Sequence, residues 1–338
     1  MPARIGEITL PRTCPHFLAL RLAVRRAVPA ERPVVVGVSG GPDSLMLAAA
    51  ALAEGASVHA ACVDHGLQLG SGERARTAAD QVRAMGGSAE VIAVDPAVHP
   101  GGTEAAARVA RYAALGAVAT RLDTAVWVGH TLDDRAETML LGALRGLTGG
   151  LAEVGVVPGT AGTDDPVPLI RPFLRIRRAD TVGAARELGL TPWHDPHNTD
   201  TAFRRVALRA RILPALSEII GGDAAPALAE ASVKATEDSD LLDALADAAL
   251  SRHRGGTDNT ATAGLSVTVA EEHPAVRRRV IALFLRANGA AVTARACEGV
   301  DRLLTDWHGQ GPVAVGGTTD GRRLVVTRRG GILTVGAR

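Results

Sequence analysis

The stretch RPVVVGVSGGPDSLMLAAAALAE, residues 32–54, decides the fold. A run of valines reads as a buried strand, breaks at Ser39-Gly40-Gly41-Pro42-Asp43-Ser44, and passes into an alanine- and leucine-rich segment of helical length. A buried strand that turns into a helix through such a loop brings several free backbone N–H groups to one point. There the helix dipole favours an anion by ~0.3–2 kcal/mol. Glycine lets the backbone approach a ligand and take up positive φ, and Ser39 and Ser44 add hydroxyl donors. Asp43 would repel a bare phosphate, so its presence implies a bridging Mg²⁺. The plainer alternative is a glycine turn with Asp43 as an ordinary capping residue.

Working outward, strand-then-helix units recur. SVHAACVDHG (57–66) precedes a helix from about 72 to 85, SAEVIAVD (88–95) precedes TEAAARVARYAALGAVATRL (103–122), and TAVWVGH (124–130) leads into TLDDRAETMLLGALRGL (131–147). A fifth candidate strand, DPVPLIRPFL (165–174), precedes IRRADTVGAARELGL (176–190). This alternation predicts an α/β fold: an open parallel sheet of about five strands with helices on both faces. Beyond Gly221-Gly222 the pattern changes to a long alanine-rich helix over 224–250 and a linker, RHRGGTDNTATAG (252–264). Helices begun by Pro274 and near Thr293 follow, then short strands joined by turns at Asp320-Gly321 and Gly330-Gly331. The expected division is a nucleotide-binding domain over 1–220, then a helical linker and a small α+β domain over 221–338.

Composition narrows the function classes. A chain of 338 residues is long enough for two domains and needs no covalent staples. Three cysteines, Cys14, Cys62 and Cys297, lie far apart and argue against a disulfide framework or a CxxC site. With no apolar run of membrane-spanning length and no signal-peptide pattern, the expected location is the cytoplasm, away from any membrane. The net charge is +1, yet 36 of the 37 basic residues are arginines, Lys234 being the one lysine. Base composition of the genome is the simplest cause, but phosphate recognition must then fall to arginine forks and backbone amides rather than a Walker-type lysine.

Two further sites stand at strand ends. Asp64 and His65 close the second strand, where ligands of open parallel sheets bind, and Asp64 lies near the spacing at which an acid reaches a ribose. In VWVGHTLDDRAETMLLGALRG (126–146), His130 and Asp134 are i,i+4, Asp134 and Glu137 i,i+3, and Asp133 and Glu137 i,i+4. Thr131-x-x-Asp134 forms a capping box on one reading. On the other, favoured here because capping does not require His130 and Glu137, the cluster receives a cation, either Mg²⁺ or the ammonium groups of an amino acid.

Ser-Gly-Gly-x-Asp-Ser after a strand resembles the PP-loop of the N-type ATP pyrophosphatases, which split ATP into AMP and pyrophosphate. Together with VDHGLQ, TEAAARVARY, VGHTLDDRAETMLLGALRG, IRPFL and WHDPHNTD in that order, it resembles the tRNA(Ile)-lysidine synthetase family across roughly residues 33–215. The resemblance implies ATP and Mg²⁺ as co-substrate and cofactor, and L-lysine and an isoleucine tRNA with a CAU anticodon as partners. The wobble cytidine would be adenylated and lysine would displace AMP. ATP binding then falls to Ser39, Gly40, Gly41, Pro42, Asp43, Ser44, Asp64 and His65, Mg²⁺ to Asp43, and lysine handling to His130, Asp134 and Glu137. The chain departs from the family pattern at Thr131 (usually His), Arg135 (Gln), His197 (Ser) and Val206 (Asn). These changes bear on lysine specificity and on the RNA site, not on the phosphate loop.

RNA contacts are expected from Arg108 and Arg111, which follow Glu104 at i+4 and i+7 beside Tyr112, and from Arg171, Arg175, Arg205 and Arg209. A salt-bridged surface face is the rival reading of the first pair. Arg177, Arg178, Arg204 and Arg211 extend the tract, interleaved with Phe173, Trp193 and Phe203, for which core packing is the commoner fate than base stacking. Arg277, Arg278 and Arg279 offer a further basic face, functional or merely solvated. Alternatives from other classes are a PP-loop tRNA 2-thiolation enzyme, which needs paired cysteines or an iron–sulfur site, and a non-catalytic ATP-binding module. Oligomeric state is left open, a homodimer being one option.

Overall fold

The computed structural model describes residues 4–11, 13–27, 33–67, 70–98, 103–147, 149–160, 163, 165–193, 200–255, 264–319 and 322–338. Contacts divide the chain into two compact units, Met1–Ala235 and Thr236–Arg338.

In the first unit a hairpin, β1 (Arg4–Ile5) and β2 (Ile8–Thr9), and helix α1 (Pro15–Arg25) precede the alternating region. That region runs β3 (Val34–Gly37), α2 (Pro42–Ala53), β4 (Val58–Asp64), α3 (Ser71–Ala84), β5 (Ser88–Ala93), α4 (Thr103–Arg121), β6 (Val126–Trp127) and α5 (Leu132–Ala143). Next come β7 (Val154–Val156), β8 (Pro168–Ile170), α6 (Arg178–Glu187), α7 (Arg204–Ala207), a π-helical turn over Leu208–Ile212, α8 (Leu213–Ile220) and α9 (Ala224–Arg252).

The sheet order is β5-β4-β3-β6-β8-β7. Every neighbouring pair is parallel except β7 with β8. The expected fifth strand is β8, and an antiparallel edge strand, β7, makes a sixth. Alternation along β3 explains why both faces are covered. Val34, Val36 and Val38 join Phe17, Leu20 and the inner side of α2 in one core, while Val35 joins Tyr112, Leu115 and Val126 under α4 in the other. Helix α2 is buried from Ser44 to Ala51, so its near-continuous apolar sequence is that of a core helix.

The division between units falls inside α9, later than the Gly221-Gly222 break read from composition. The physical reason is that one face of the first turns of α9 is buried, with Ala224, Ala225, Ala229 and Ser232 on it. Gly221, in left-handed conformation at φ +67°, ends α8 without ending the compact unit.

In the second unit α10 (Pro274–Ala287) and α11 (Ala294–Thr305, capped by Thr293) pack on an antiparallel sheet. Its order is β11-β12-β13-β10-β9, formed by Val313–Thr319, Arg322–Arg329, Ile332–Ala337, Gly264–Ser266 and Arg254–Gly255. Arg329 pairs with Ile332 across Gly330 and Gly331, both at positive φ, which is the two-residue turn expected there. The other expected turn, Asp320-Gly321, lies outside the described residues, as does the middle of the linker. Among the described residues no single helix is long and apolar enough to cross a membrane.

Candidate active site

The carboxyl ends of β3, β4 and β6 place three segments side by side: the loop Ser39–Ser44, the pair Asp64-His65, and Gly129-His130. Gly40 takes φ +84°, Gly41 caps α2 in extended conformation, and Pro42 starts the helix with the amide it lacks already surplus. The Ser44 hydroxyl accepts from the Ser39 amide at 3.1 Å, lies 3.1 Å from the Ser39 hydroxyl, and donates to the Gly41 carbonyl at 3.2 Å. The Trp193 amide donates to the Gly40 carbonyl at 2.9 Å, pinning the loop from the far side. Gly129 is required by proximity: a Cβ there would lie 2.7 Å from the Asp43 carbonyl oxygen and 3.0 Å from the Ser44 nitrogen. That closeness brings the start of α5 against the start of α2.

Beside the loop opens a cleft of about 210 Å³ lined by Ser39, Asp64, His65, Arg74, Arg111 and Trp193 among others. The Arg74 guanidinium stacks on the Trp193 ring at 4.5 Å. Asp64 is held below the ordinary carboxylate range by hydrogen bonds from Ser71 and from the Gly66 amide, which is 3.0 Å away. Burial, aided by the positive charge of Arg111, pushes His65 below the usual imidazole range, and its Nδ1 is buried without a partner among the described residues. A second cleft of about 420 Å³, lined by His65, Arg108 and Arg111 among others, adjoins the first through His65 and Arg111.

The acidic start of α5 bears out the capping reading. The capping box is present: Asp134 Oδ2 accepts from the Thr131 amide at 2.8 Å and the Thr131 hydroxyl at 2.9 Å, and the Thr131 oxygen accepts from the Asp134 amide. The cluster also holds a cation, and it is an arginine of the same chain. Arg178 donates through Nη2 to Asp134 Oδ1 at 2.7 Å and through Nη1 to Glu137 Oε1 at 3.2 Å, while its Nε lies 3.5 Å from Asp43 Oδ2. One guanidinium thus joins the phosphate loop to the acidic turn. Arg209 Nε also donates to Glu137 Oε1, at 2.8 Å, and Glu137 Oε2, fully buried, has no partner among the described residues. Asp133 accepts the Arg178 amide at 2.7 Å and three contacts from Arg177, capping α6.

These contacts separate the protonation behaviour of the carboxylates. Burial pushes Asp43 up to about 6, against the Thr181 hydroxyl and Arg178, which favour its charged form. Burial also opposes ionisation of Asp134, but Arg178 and the Thr131 amide outweigh it and hold that group below the ordinary range. For Arg178 burial is likewise opposed and outweighed, by Asp134, Glu137 and Asp43, and its charge is reinforced. Desolvation drives His130 down to about 3, so its ring is neutral. Its Nδ1 accepts from Arg171 Nε at 3.3 Å, which leaves the ring proton on Nε2.

The chain matches the PP-loop domain family over residues 19–216 and the TilS substrate binding domain family over 268–333. A tRNA(Ile)-lysidine synthase of Corynebacterium glutamicum is 47% identical over 98% of each chain. Proteins of the same name from Rhodococcus erythropolis and Mycobacterium tuberculosis are 48% and 47% identical, covering 97% and 89% of this chain and 97% and 90% of theirs. The chain belongs to the tRNA(Ile)-lysidine synthase family. A solved structure, the U34-tRNA thiolase NcsA of Methanococcus maripaludis, superposes with a TM-score of 0.50 over 65% of this chain and 78% of that one. At 17% identity it speaks for the shared fold alone.

As a lysidine synthase relative, the chain accommodates three of its four departures by local packing. Thr131 is the buried cap of α5. Arg135 is buried and donates to the Leu151 carbonyl at 3.0 Å. Val206 is buried on α7. The fourth, His197, lies outside the described residues with the rest of 194–199.

The arginines expected at RNA divide in two. Arg108 is exposed and stacks over Tyr112 at 4.9 Å, and Arg175 is exposed and pairs with Glu153 at 2.9 Å. Arg171, Arg205 and Arg209 instead reach inward, to His130 and the Ala152 carbonyl, to the Thr138 hydroxyl, and to Glu137. Arg177 and Arg178, read as part of the basic tract, face the acidic cluster for the same reason: buried carboxylates demand partners. Phe173 is core and Phe203 is partly exposed. In the second unit Arg277 and Arg279 bind Asp301 and Asp243, both at 2.7 Å, and Arg278 is exposed, so the three do not form one free basic face. Residues that motif reading passed over are Gly129, Thr181, whose hydroxyl donates to Asp43, and Arg178 as an internal counter-ion.

Proposed function

We propose that the protein is a ligase that joins L-lysine to C2 of the wobble cytidine of an isoleucine tRNA with a CAU anticodon, at one pocket and in two steps. In the first, the cytosine C2 oxygen attacks the α-phosphorus of ATP and the bond to pyrophosphate breaks. In the second, the lysine ε-amine adds to C2, a proton leaves the nitrogen, and the C2–O bond breaks to release AMP. The products are lysidine, AMP and pyrophosphate.

The observation that carries this reading is the Arg178 bridge. It sets the carboxylate of the phosphate loop and those of the acidic turn around one guanidinium, so a nucleotide and an amine bound to them meet within a single pocket. Loop amides, with Ser39 and Ser44, receive the phosphates, and Asp64 and His65 line the cleft suited to the nucleoside. Mg²⁺ fits Asp43, which is a quarter exposed, stands beside the loop hydroxyls, and has its ion pair only at 3.5 Å; such ions commonly take one or two carboxylates plus phosphate oxygens. Bound there, the ion would neutralise charge on the departing pyrophosphate.

His130 is neutral and carries its proton on Nε2, so it serves as a hydrogen-bond donor that orients substrate, while Glu137 Oε2, buried and without a donor among the described residues, is the acceptor for the amine's proton. Asp134 holds the ammonium from the other side. Exposed Arg108 and Arg175 meet the RNA backbone, and Arg111 stands between the two clefts; Arg171, Arg205 and Arg209 organise the pocket behind them. The setting is cytoplasmic, where ATP and tRNA occur.

The test incubates the protein with ATP, Mg²⁺ and purified tRNA(Ile), with and without lysine. AMP release that requires the RNA, with a cytidine gaining the mass of a condensed lysine, is the expected result. Equal ATP turnover without RNA or amino acid overturns it.

A further inference from the structure

The acidic turn is not waiting empty for an amine, because a cation of the chain already sits in it. We propose that Arg178 is a positioning residue that sets the order of substrate use: it keeps Asp134 and Glu137 closed to lysine until the phosphates of bound ATP draw its guanidinium away. The inference rests on the functional reading above and adds to it a substrate order.

Three observations carry it. First, Arg178 reaches both halves of the site at once, with its Nη atoms on Asp134 and Glu137 at 2.7 and 3.2 Å and its Nε 3.5 Å from Asp43 on the phosphate loop. A triphosphate on that loop presents a far denser negative charge to the same fork, and guanidinium binds phosphate oxygens bidentately. Second, the carboxylates keep partners when Arg178 leaves. Asp134 Oδ2 retains the Thr131 amide and hydroxyl at 2.8 and 2.9 Å, and Glu137 Oε1 retains Arg209 at 2.8 Å. Departure therefore leaves each carboxylate hydrogen-bonded through one oxygen, which limits the penalty that makes breaking most buried ion pairs prohibitive. Third, Glu137 Oε2 is fully buried and has no donor among the described residues, so the cluster retains an acceptor that Arg178 does not use. An ammonium placed there would be a third cation on a carboxylate that already pairs with Arg178 and Arg209, so its binding is favoured when Arg178 leaves.

The anchor of the switch is fixed. The Arg178 amide is held by Asp133 at 2.7 Å as the first residue of α6, so only its side chain needs to turn. The gain is chemical order, since an amine admitted before adenylation has no activated carbon to attack.

Equilibrium dialysis of radiolabelled lysine against the full-length protein, with and without Mg²⁺ and α,β-methylene ATP, tests the idea. In the wild type the nucleotide analogue raises lysine affinity about tenfold, and by linkage lysine raises analogue affinity by the same factor. Arg178→Met, neutral and of similar length, binds lysine without nucleotide as tightly as the loaded wild type, and the coupling falls below about twofold. Arg178→Lys restores part of the coupling, which a merely structural role would not. Equal lysine affinity with and without the analogue in the wild type overturns the proposal and needs no variant to fold. So does a full tenfold coupling that survives in Arg178→Met. If lysidine forms but the coupling is missing, only the order fails; if AMP release does not require tRNA, the functional reading fails first.

Discussion

The two walls of the pocket are built in opposite ways. The phosphate loop is six contiguous residues whose geometry follows from their own backbone, with Gly40 at positive φ, Pro42 at the first helical position and two serines closing on each other. The acidic turn is contiguous only in its carboxylates. Its counter-charges come from Arg178, 41 residues away from Glu137 in the chain, and Arg209, 72 residues away. A site whose binding groups are main-chain amides is written locally, whereas a site that buries negative charge has to recruit partners from wherever the fold brings them. The first wall is poised for an anion and the second for a cation.

Separating the walls gives the largest expected effect. Asp43→Asn removes the carboxylate of the phosphate wall and lowers tRNA-dependent AMP release by about 10²–10³-fold, read by thin-layer separation of labelled ATP products. Glu137→Gln leaves that wall untouched. It slows lysine transfer by about 10²-fold while adenylation continues, so adenylated tRNA accumulates in a single-turnover reaction. If both variants lose the same step, the walls are not separable in the way the geometry indicates.

Gly129→Ala tests the contact between them. The new methyl must displace the Asp43 carbonyl or the strand end, at a cost of about 1–3 kcal/mol, visible as a lower melting temperature together with weaker nucleotide binding. A variant unchanged in both would mean that the close approach is not needed.

The smallest effect is one of pH. Because burial raises Asp43 to about 6, its carboxylate is mostly ionised at pH 7.5 and mostly protonated at pH 5.5. Binding of Mg²⁺-nucleotide, which favours the ionised form, therefore weakens by about fourfold between those values as pH falls. The same titration in Asp43→Asn loses this limb. His130, driven down to about 3, stays neutral across the interval and contributes none of it.

Sequence patterning carried most of the fold because the determining signals were local and periodic. Val34–Gly37 before Ser39-Gly40-Gly41, the capping Thr131 before Leu132–Ala143, and the Gly330-Gly331 hairpin each specify their own geometry. Strand β7 escaped because three residues, Val-Gly-Val, partly exposed at a sheet edge, give no usable alternation. Arg178 escaped for a different reason. In RIRRAD it reads like any member of a basic surface tract, and nothing within several residues marks it as the one that turns toward Asp134. Likewise Arg209 carries no local sign that Glu137 will claim it. Gly129 is legible only once the backbone of Asp43 is known to pass beside it.

The near-total replacement of lysine by arginine has a consequence for reaction fidelity. An adenylated cytidine is an electrophile that any free primary amine could intercept, and a lysine side chain in the pocket would compete with the substrate or become attached to the RNA. Every cationic side chain described around Asp43, Asp134 and Glu137 is a guanidinium, which stays protonated at neutral pH and is a poor nucleophile. The chain's single ε-amine, Lys234, is on the long helix α9, largely exposed and 3.6 Å from Glu230. The pocket can thus stabilise negative charge throughout the reaction while presenting no amine of its own to the activated base.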